Sequence, residues 1–274
     1  MLSRLKTFPP LPREHGAWAM FGVPLLMGVA VAEKFNAQVL LFAIVALGFY
    51  LWRYPLMLVV KNRAPKNRGE AIVWCVIYGL LTVGSGAILL IVSQLWLLIP
   101  LGMLGALSLA IYLWLASRRE EMTTLGEWLG IAGLALGAPG AYLAATGLLD
   151  EKALGLYALN LFYFGGTVLY IKFKVREQPK TVLPTADVKT RLWAGRMTML
   201  YHVLVIIAFG IFAGLGWVPA LVALAFGLPF CKVLSGVLTR PARLNLPRLG
   251  LIELIFTGVF TLVVVLAFYG WSKV

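Results

Sequence analysis

The sequence predicts an all-α integral membrane protein, a nine-helix bundle, on three observations. Of 274 residues, 61% are hydrophobic and 13% charged, with a mean hydropathy of +0.90. Soluble domains run nearer 45–50% apolar and about 25% charged, so water cannot solvate this much apolar surface. The apolar runs are also long and unalternating, as membrane helices of about 20 residues require and barrel strands of about 9–11 do not. Finally, the basic residues gather in every second connection, the mark of a polytopic topology.

The first run, about 16–33, follows Glu14 and His15 and contains Pro24. Ala30-Val31-Ala32 before Glu33 resembles a signal-peptidase site, but the polar opening, the proline and the length of the run favour a retained first helix. Further runs fall at 37–60, 71–93, 95–117, 128–148, 152–172, 193–214, 216–236 and 249–271. Only Ser93-Gln94 separates the third from the fourth. The fifth carries Gly130, Gly133, Gly137, Gly140 and Gly147 with Pro139, as expected of a closely packed helix with a kink. No soluble linker interrupts the chain, so residues 1–274 read as one transmembrane domain.

With the N-terminus inside, every Lys and Arg of the 24 except Lys34, Lys152 and Lys273 falls on the cytoplasmic side. Nine helices, N-in and C-out, in a bacterial inner membrane follow from this partition. The net charge of +13 is thereby topogenic, and no nucleic-acid partner is expected; the bilayer is. Cys75 and Cys231 lie in apolar runs without partners at metal or redox spacing.

Ionisable side chains inside spans cost a few kcal/mol and usually face a cavity or a partner. Here they lie in the cytoplasmic halves: Glu14, His15, Arg53, Glu127, Lys172, Arg196, Lys232 and Glu253, with His202 deeper in helix 7 and Asn160 near the middle of helix 6. Lys172, Arg196 and Lys232 are placed to snorkel to headgroups. Arg53 and Glu253 are not, and point either to a buried pair (Arg53–Glu253 or Arg196–Glu253) or to a polar cavity open to the cytoplasm. No HExxH, phosphate-binding glycine loop or nucleophile elbow is present.

The opening Pro12-Arg13-Glu14-His15-Gly16-Ala17-Trp18-Ala19-Met20 resembles the signature of the YwiC-like family of bacterial membrane proteins, which implies a location rather than an activity. More distantly, the nine-helix topology and Thr123-Thr124-Leu125-Gly126 leading into a glycine-rich helix resemble the UbiA superfamily of intramembrane prenyltransferases. That resemblance implies two Asp-rich motifs holding Mg²⁺ against a prenyl diphosphate. The corresponding stretches are basic instead: Trp52-Arg53-Tyr54-Pro55 running on through Lys61, Arg63 and Arg68, and Tyr170-Ile171-Lys172-Phe173-Lys174-Val175-Arg176. Such stretches repel Mg²⁺ and attract phosphate directly, so no metal and no cofactor is expected.

The expected function is therefore a UbiA-like scaffold binding an anionic or isoprenoid lipid, or a diphosphate, in a basic cavity facing the cytoplasm. The expected contacts are Glu14, His15, Arg53, Lys61, Arg63, Arg68, Lys172, Lys174, Arg176, Arg196, His202 and Glu253. Whether the chain is an enzyme stays open; if it is, a diverged prenyltransferase-like transferase is implied. The alternatives are an accessory subunit of a membrane complex and a small-molecule or ion transporter.

Overall fold

The computed structural model describes residues 11, 15–61, 68–181, 187–239 and 244–271, and these are all-helical with no strands. Eight of their helical spans are long and apolar enough to cross a membrane, and a shorter apolar helix covers Gly16–Ala32. The chain is thus a multi-pass membrane protein. It forms two compact units, Met1–Tyr157 and Ala158–Val274.

In unit 1, α1 (His15–Ala32) ends where Glu33 takes a left-handed φ of 52°. Asn36 then starts α2 (Ala37–Lys61): its Oδ1 accepts the Val39 N–H at 2.9 Å. Its amide donates to the carbonyls of Ala145, at 3.2 Å, and Ala144. The thin expected boundary between the third and fourth runs is a tight turn around Gln94, at φ 53°, joining α3 (Arg68–Ile91) to α4 (Leu98–Ser117).

The fifth run begins at Thr124, four residues before the apolar stretch, because the Thr123 hydroxyl accepts the Gly126 N–H at 3.3 Å. It is two helices, α5 (Thr124–Ala135) and α6 (Gly137–Thr146), divided at Leu136. Pro139 has no N–H to give the Ala135 carbonyl, and the chain bends there. The span as a whole is 61% buried against 17–28% for α2, α3 and α4, which makes it the enclosed span of the unit. Gly28 on α1 and Gly140 on α6 have no room for a side chain, meeting Ala138 and Phe42 respectively.

Unit 2 contains most of α7 (Glu151–Lys172), which runs into a π-helical turn (Phe173–Glu177) and a 3₁₀ turn (Gln178–Thr181). The seventh run begins at Val188, earlier than its apolar stretch, because Asp187 caps α8 (Val188–Gly214) by accepting the Thr190 N–H at 2.8 Å. Gly216, at φ 76°, and Pro219 turn the chain into α9 (Ala220–Ala225) and α10 (Gly227–Leu238). These too are one span broken three residues before a proline, here Phe226 before Pro229. The final helix, α11 (Leu246–Trp271), carries large apolar side chains outward, among them Leu251, Leu262 and Leu266, as a lipid-facing helix does. A core of Tyr170, Phe173, Val233, Val237 and Leu249 joins α7, α10 and α11.

Candidate functional site

Unit 1 has an open cavity of about 500 Å³ lined by α2, α3, α4 and the α5–α6 span, with Phe21 contributed by α1. That is a typical size for small-molecule sites, about 300–1,000 Å³. Its walls are aliphatic and aromatic, and glycine gives it depth: Gly86, Gly102 and Gly130 line it, and a Cβ at any of them would meet open space. Two of the hydroxyls on its wall are engaged by backbone carbonyls. Thr82 donates to the Tyr78 carbonyl at 2.8 Å and Ser108 to the Leu129 carbonyl at 2.7 Å.

Among the described residues, Arg53 is the one charged residue that lines it. It stands eight residues, about 12 Å of helix, before the end of α2. Its Nη2 donates to the Tyr112 hydroxyl at 2.8 Å, and its guanidinium lies 4.3 Å from the centre of that ring. Both contacts are with a neutral group, so the positive charge is held in place without being cancelled by them. The indole Nε1 of the neighbouring Trp52 is buried without a hydrogen-bond partner among the described residues.

The basic residues expected around Arg53 do not gather there. Lys61 forms an ion pair with Glu121 of the α4–α5 connection. Arg68 is exposed at the start of α3, and Glu14, Arg63 and the side chain of His15 lie outside the described residues. As the described residues form it, the cavity is therefore apolar with a single cation, where a polar one was expected: α2 turns Arg53 inward and Lys61 toward the loop.

Unit 2 holds the remaining expected residues. Lys172 is half-buried and Arg176 exposed. The π-helical turn brings Lys174 Nζ to the Gly236 carbonyl at 3.0 Å, where Gln178 also donates at 3.1 Å. Arg196 is exposed, stacked 3.9 Å from the Trp193 ring centre. His202 is buried with Nδ1 2.8 Å from the Thr198 carbonyl oxygen. Glu253 pairs with Lys232, and neither Arg53 nor Arg196 is its partner: Nζ lies 2.8 and 2.7 Å from the two carboxylate oxygens. Lys232 does not snorkel, being only 7% exposed, because α10 turns it toward α11.

Three buried residues in this region were not singled out from sequence: Tyr163, Thr167 and Tyr170. With Asn160 they recur at intervals of three, four and three along α7, a spacing that places them on one stripe of the helix. That periodicity was the available signal.

Residues 11–142 match the family described as YwiC-like protein. An uncharacterized protein of Haemophilus influenzae is 27% identical over 264 residues, covering 94% of this chain and 98% of the relative. The uncharacterized protein YwiC of Bacillus subtilis is 27% identical over 168 residues, covering 61% of this chain and 68% of the relative. No solved structure matches the chain. The YwiC-like resemblance is thus borne out, while the comparisons lend nothing to the UbiA-like one.

Proposed function

For a YwiC-like multi-pass membrane protein, we propose that unit 1 binds an anionic amphipathic lipid, with its chain in the cavity and its headgroup on Arg53. One observation carries this reading: an apolar cavity of about 500 Å³ on whose wall the described residues place a single charged group, held by a tyrosine. A cation in such a setting costs less when an anion joins it, since a charge removed from water is tolerated chiefly when paired. The apolar walls suit an acyl or isoprenoid chain. The positive-inside pattern supports an inner-membrane protein with a cytoplasmic N-terminus, which puts Arg53 on the cytoplasmic side of the chamber. An isoprenoid occupant would accord with a UbiA-like scaffold; the reading does not require one.

Native mass spectrometry of the purified protein against phosphatidylglycerol, phosphatidylcholine and farnesyl diphosphate tests it. Gly102 and Gly130 line the cavity where an added Cβ meets nothing within 4 Å, so Gly102→Leu and Gly130→Leu should narrow it and abolish binding, with thermal unfolding checking that the fold is kept. Arg53→Gln should weaken anionic lipids by on the order of tenfold, about 1.4 kcal/mol, and spare neutral ones. Unchanged lipid binding in both filled-cavity variants would overturn the reading.

A second reading, transport of a small molecule, is favoured by the two proline-broken spans, at Leu136 and Phe226. Interrupted spans in the two halves of a chain are a feature of secondary transporters, where the freed backbone groups serve the substrate site. Uptake of a labelled lipid into proteoliposomes, against binding alone, separates the two.

A further inference from the structure

The polar stripe of α7 faces a buried ion pair. Asn160, Tyr163, Thr167 and Tyr170 are all at most 7% exposed, and Lys232 and Glu253 are equally buried across from them. A pair like this is weak evidence for stability, since an apolar pair of similar volume often serves as well or better. Ionisable groups at membrane depth point instead to function.

The surroundings are arranged so that the pair can lose its negative member. The Lys232 ammonium lies 4.9 Å from the ring centre of Tyr170 and 5.2 Å from that of Phe256. Aromatic faces attract a desolvated ammonium electrostatically. The Thr167 side chain lies beside both the Glu253 carboxylate and the Tyr163 hydroxyl, and the Tyr163 hydroxyl donates to that of Thr257 at 3.1 Å. Thr257 in turn donates to the Glu253 carbonyl at 2.7 Å. Hydroxyls both donate and accept, so this chain can reverse its direction without moving a heavy atom. Beyond Tyr163 the polar groups give way to aromatic rings: Tyr163 stacks on Phe260 at 4.0 Å, and Phe260 meets Phe226, which stacks on Phe209.

We propose that Glu253 is a proton-binding site, with Lys232 held on the Tyr170 and Phe256 rings while the carboxylate is neutral. One proton bonds to a Glu253 carboxylate oxygen, and a Lys232 N–H···O bond is released. No electrons move, and the pair goes from neutral to a single positive charge. The new carboxyl O–H donates to Thr167, which then donates to Tyr163, so proton uptake is relayed to the middle of α7. The titratable and charged groups facing Glu253 are Lys232 from α10 and Tyr163 and Tyr170 from α7. Beyond them lie Lys174, 5.6 Å from the Tyr170 ring centre, and His202 from α8, whose ring packs against Gly166. This site is independent of the cavity in unit 1.

Infrared difference spectroscopy of the protein in lipid, stepped between about pH 4 and about pH 10, tests the proposal by the protonated-carboxyl C=O stretch. The wild type should show a titrating band from a carboxyl slow to exchange with D₂O. The band should be lost in Glu253→Gln, and in Thr167→Val its midpoint should move by about one pH unit, a tenfold change in proton affinity. The double variant Lys232→Met with Glu253→Leu replaces the pair by apolar side chains, and it should fold while lacking the band. A band that persists in Glu253→Gln and in the double variant, or a wild type with no such band, would overturn the proposal and leave the pair as a fixed structural tie.

Discussion

Gly28 and Ala138 bring the backbones of α1 and α6 together: a Cβ on Gly28 would lie 2.3 Å from the Ala138 carbonyl oxygen. Backbone cannot yield as a side-chain tip can. Gly28→Ala should therefore destabilise unit 1 by about 1–3 kcal/mol, the usual cost of overpacking. Gly22→Ala, on the same helix but with nothing within 4 Å, is the control and should be neutral or slightly stabilising. Unfolding in detergent, followed by intrinsic fluorescence, compares the two.

Asn36 ties the start of α2 to the end of α6 through two hydrogen bonds and caps α2 with a third. Asn36→Ala removes both the helix cap and the cross-link, and should lower stability by about 1–2 kcal/mol. Asn36→Asp keeps the cap and loses the cross-link, and should fall between. Thermal unfolding of the three proteins in one detergent orders them.

In unit 2, Phe260 is fully buried and stacked on Tyr163 at 4.0 Å. Phe260→Ala should cost about 3–5 kcal/mol, because the aromatic cluster cannot close over the gap. Tyr163→Phe keeps the ring and removes one hydroxyl bonded to Thr257, so its cost should be about 1 kcal/mol. Equal losses in a denaturation assay would show that hydrogen bonding, not packing, holds this region.

Asp187 gives a pH dependence with a definite sign. The Thr190 backbone N–H, followed by the Thr190 side chain, holds the Asp187 carboxyl below its ordinary range. Lowered in the folded state, it supports the first turn of α8 above the unfolded carboxylate value, and that support is lost as pH falls through the folded value. Amide exchange over residues 188–191, corrected for intrinsic rate, should therefore quicken below about pH 4 in the wild type. Asp187→Asn, a cap without a titrating group, should show no such step.

The spans were legible because each needs a long apolar run and nothing else in the chain supplies one. Their starts were less so: α5 and α8 begin at polar caps, Thr123 and Asp187, upstream of the runs. The break at Pro139 could be read from the missing donor. The matching break at Pro229 was there to be read and was passed over in a run that is otherwise apolar. Arg53 and Glu253 stood out as charges too deep to ignore, yet Lys232 did not. Depth in the membrane can be counted along a helix, but whether a lysine faces lipid or a neighbour depends on helix rotation. A cavity with Arg53 on its wall was legible, but its apolar lining and its place among the helices were not. It arises where Gly86, Gly102 and Gly130 from three helices face the same space, and nothing local to any of them distinguishes those glycines from Gly28 or Gly140, which are filled by their neighbours.

Those three cavity glycines separate two kinds of constraint. Gly28 and Gly140 cannot change without disturbing the helices, so folding itself restricts them. At Gly86, Gly102 and Gly130 an added Cβ meets nothing within 4 Å, so packing does not restrict them in the same way. If the cavity holds the proposed lipid, sequence drift at these three positions would record a change of ligand, whereas drift at Gly28 or Gly140 would require a change of helix packing.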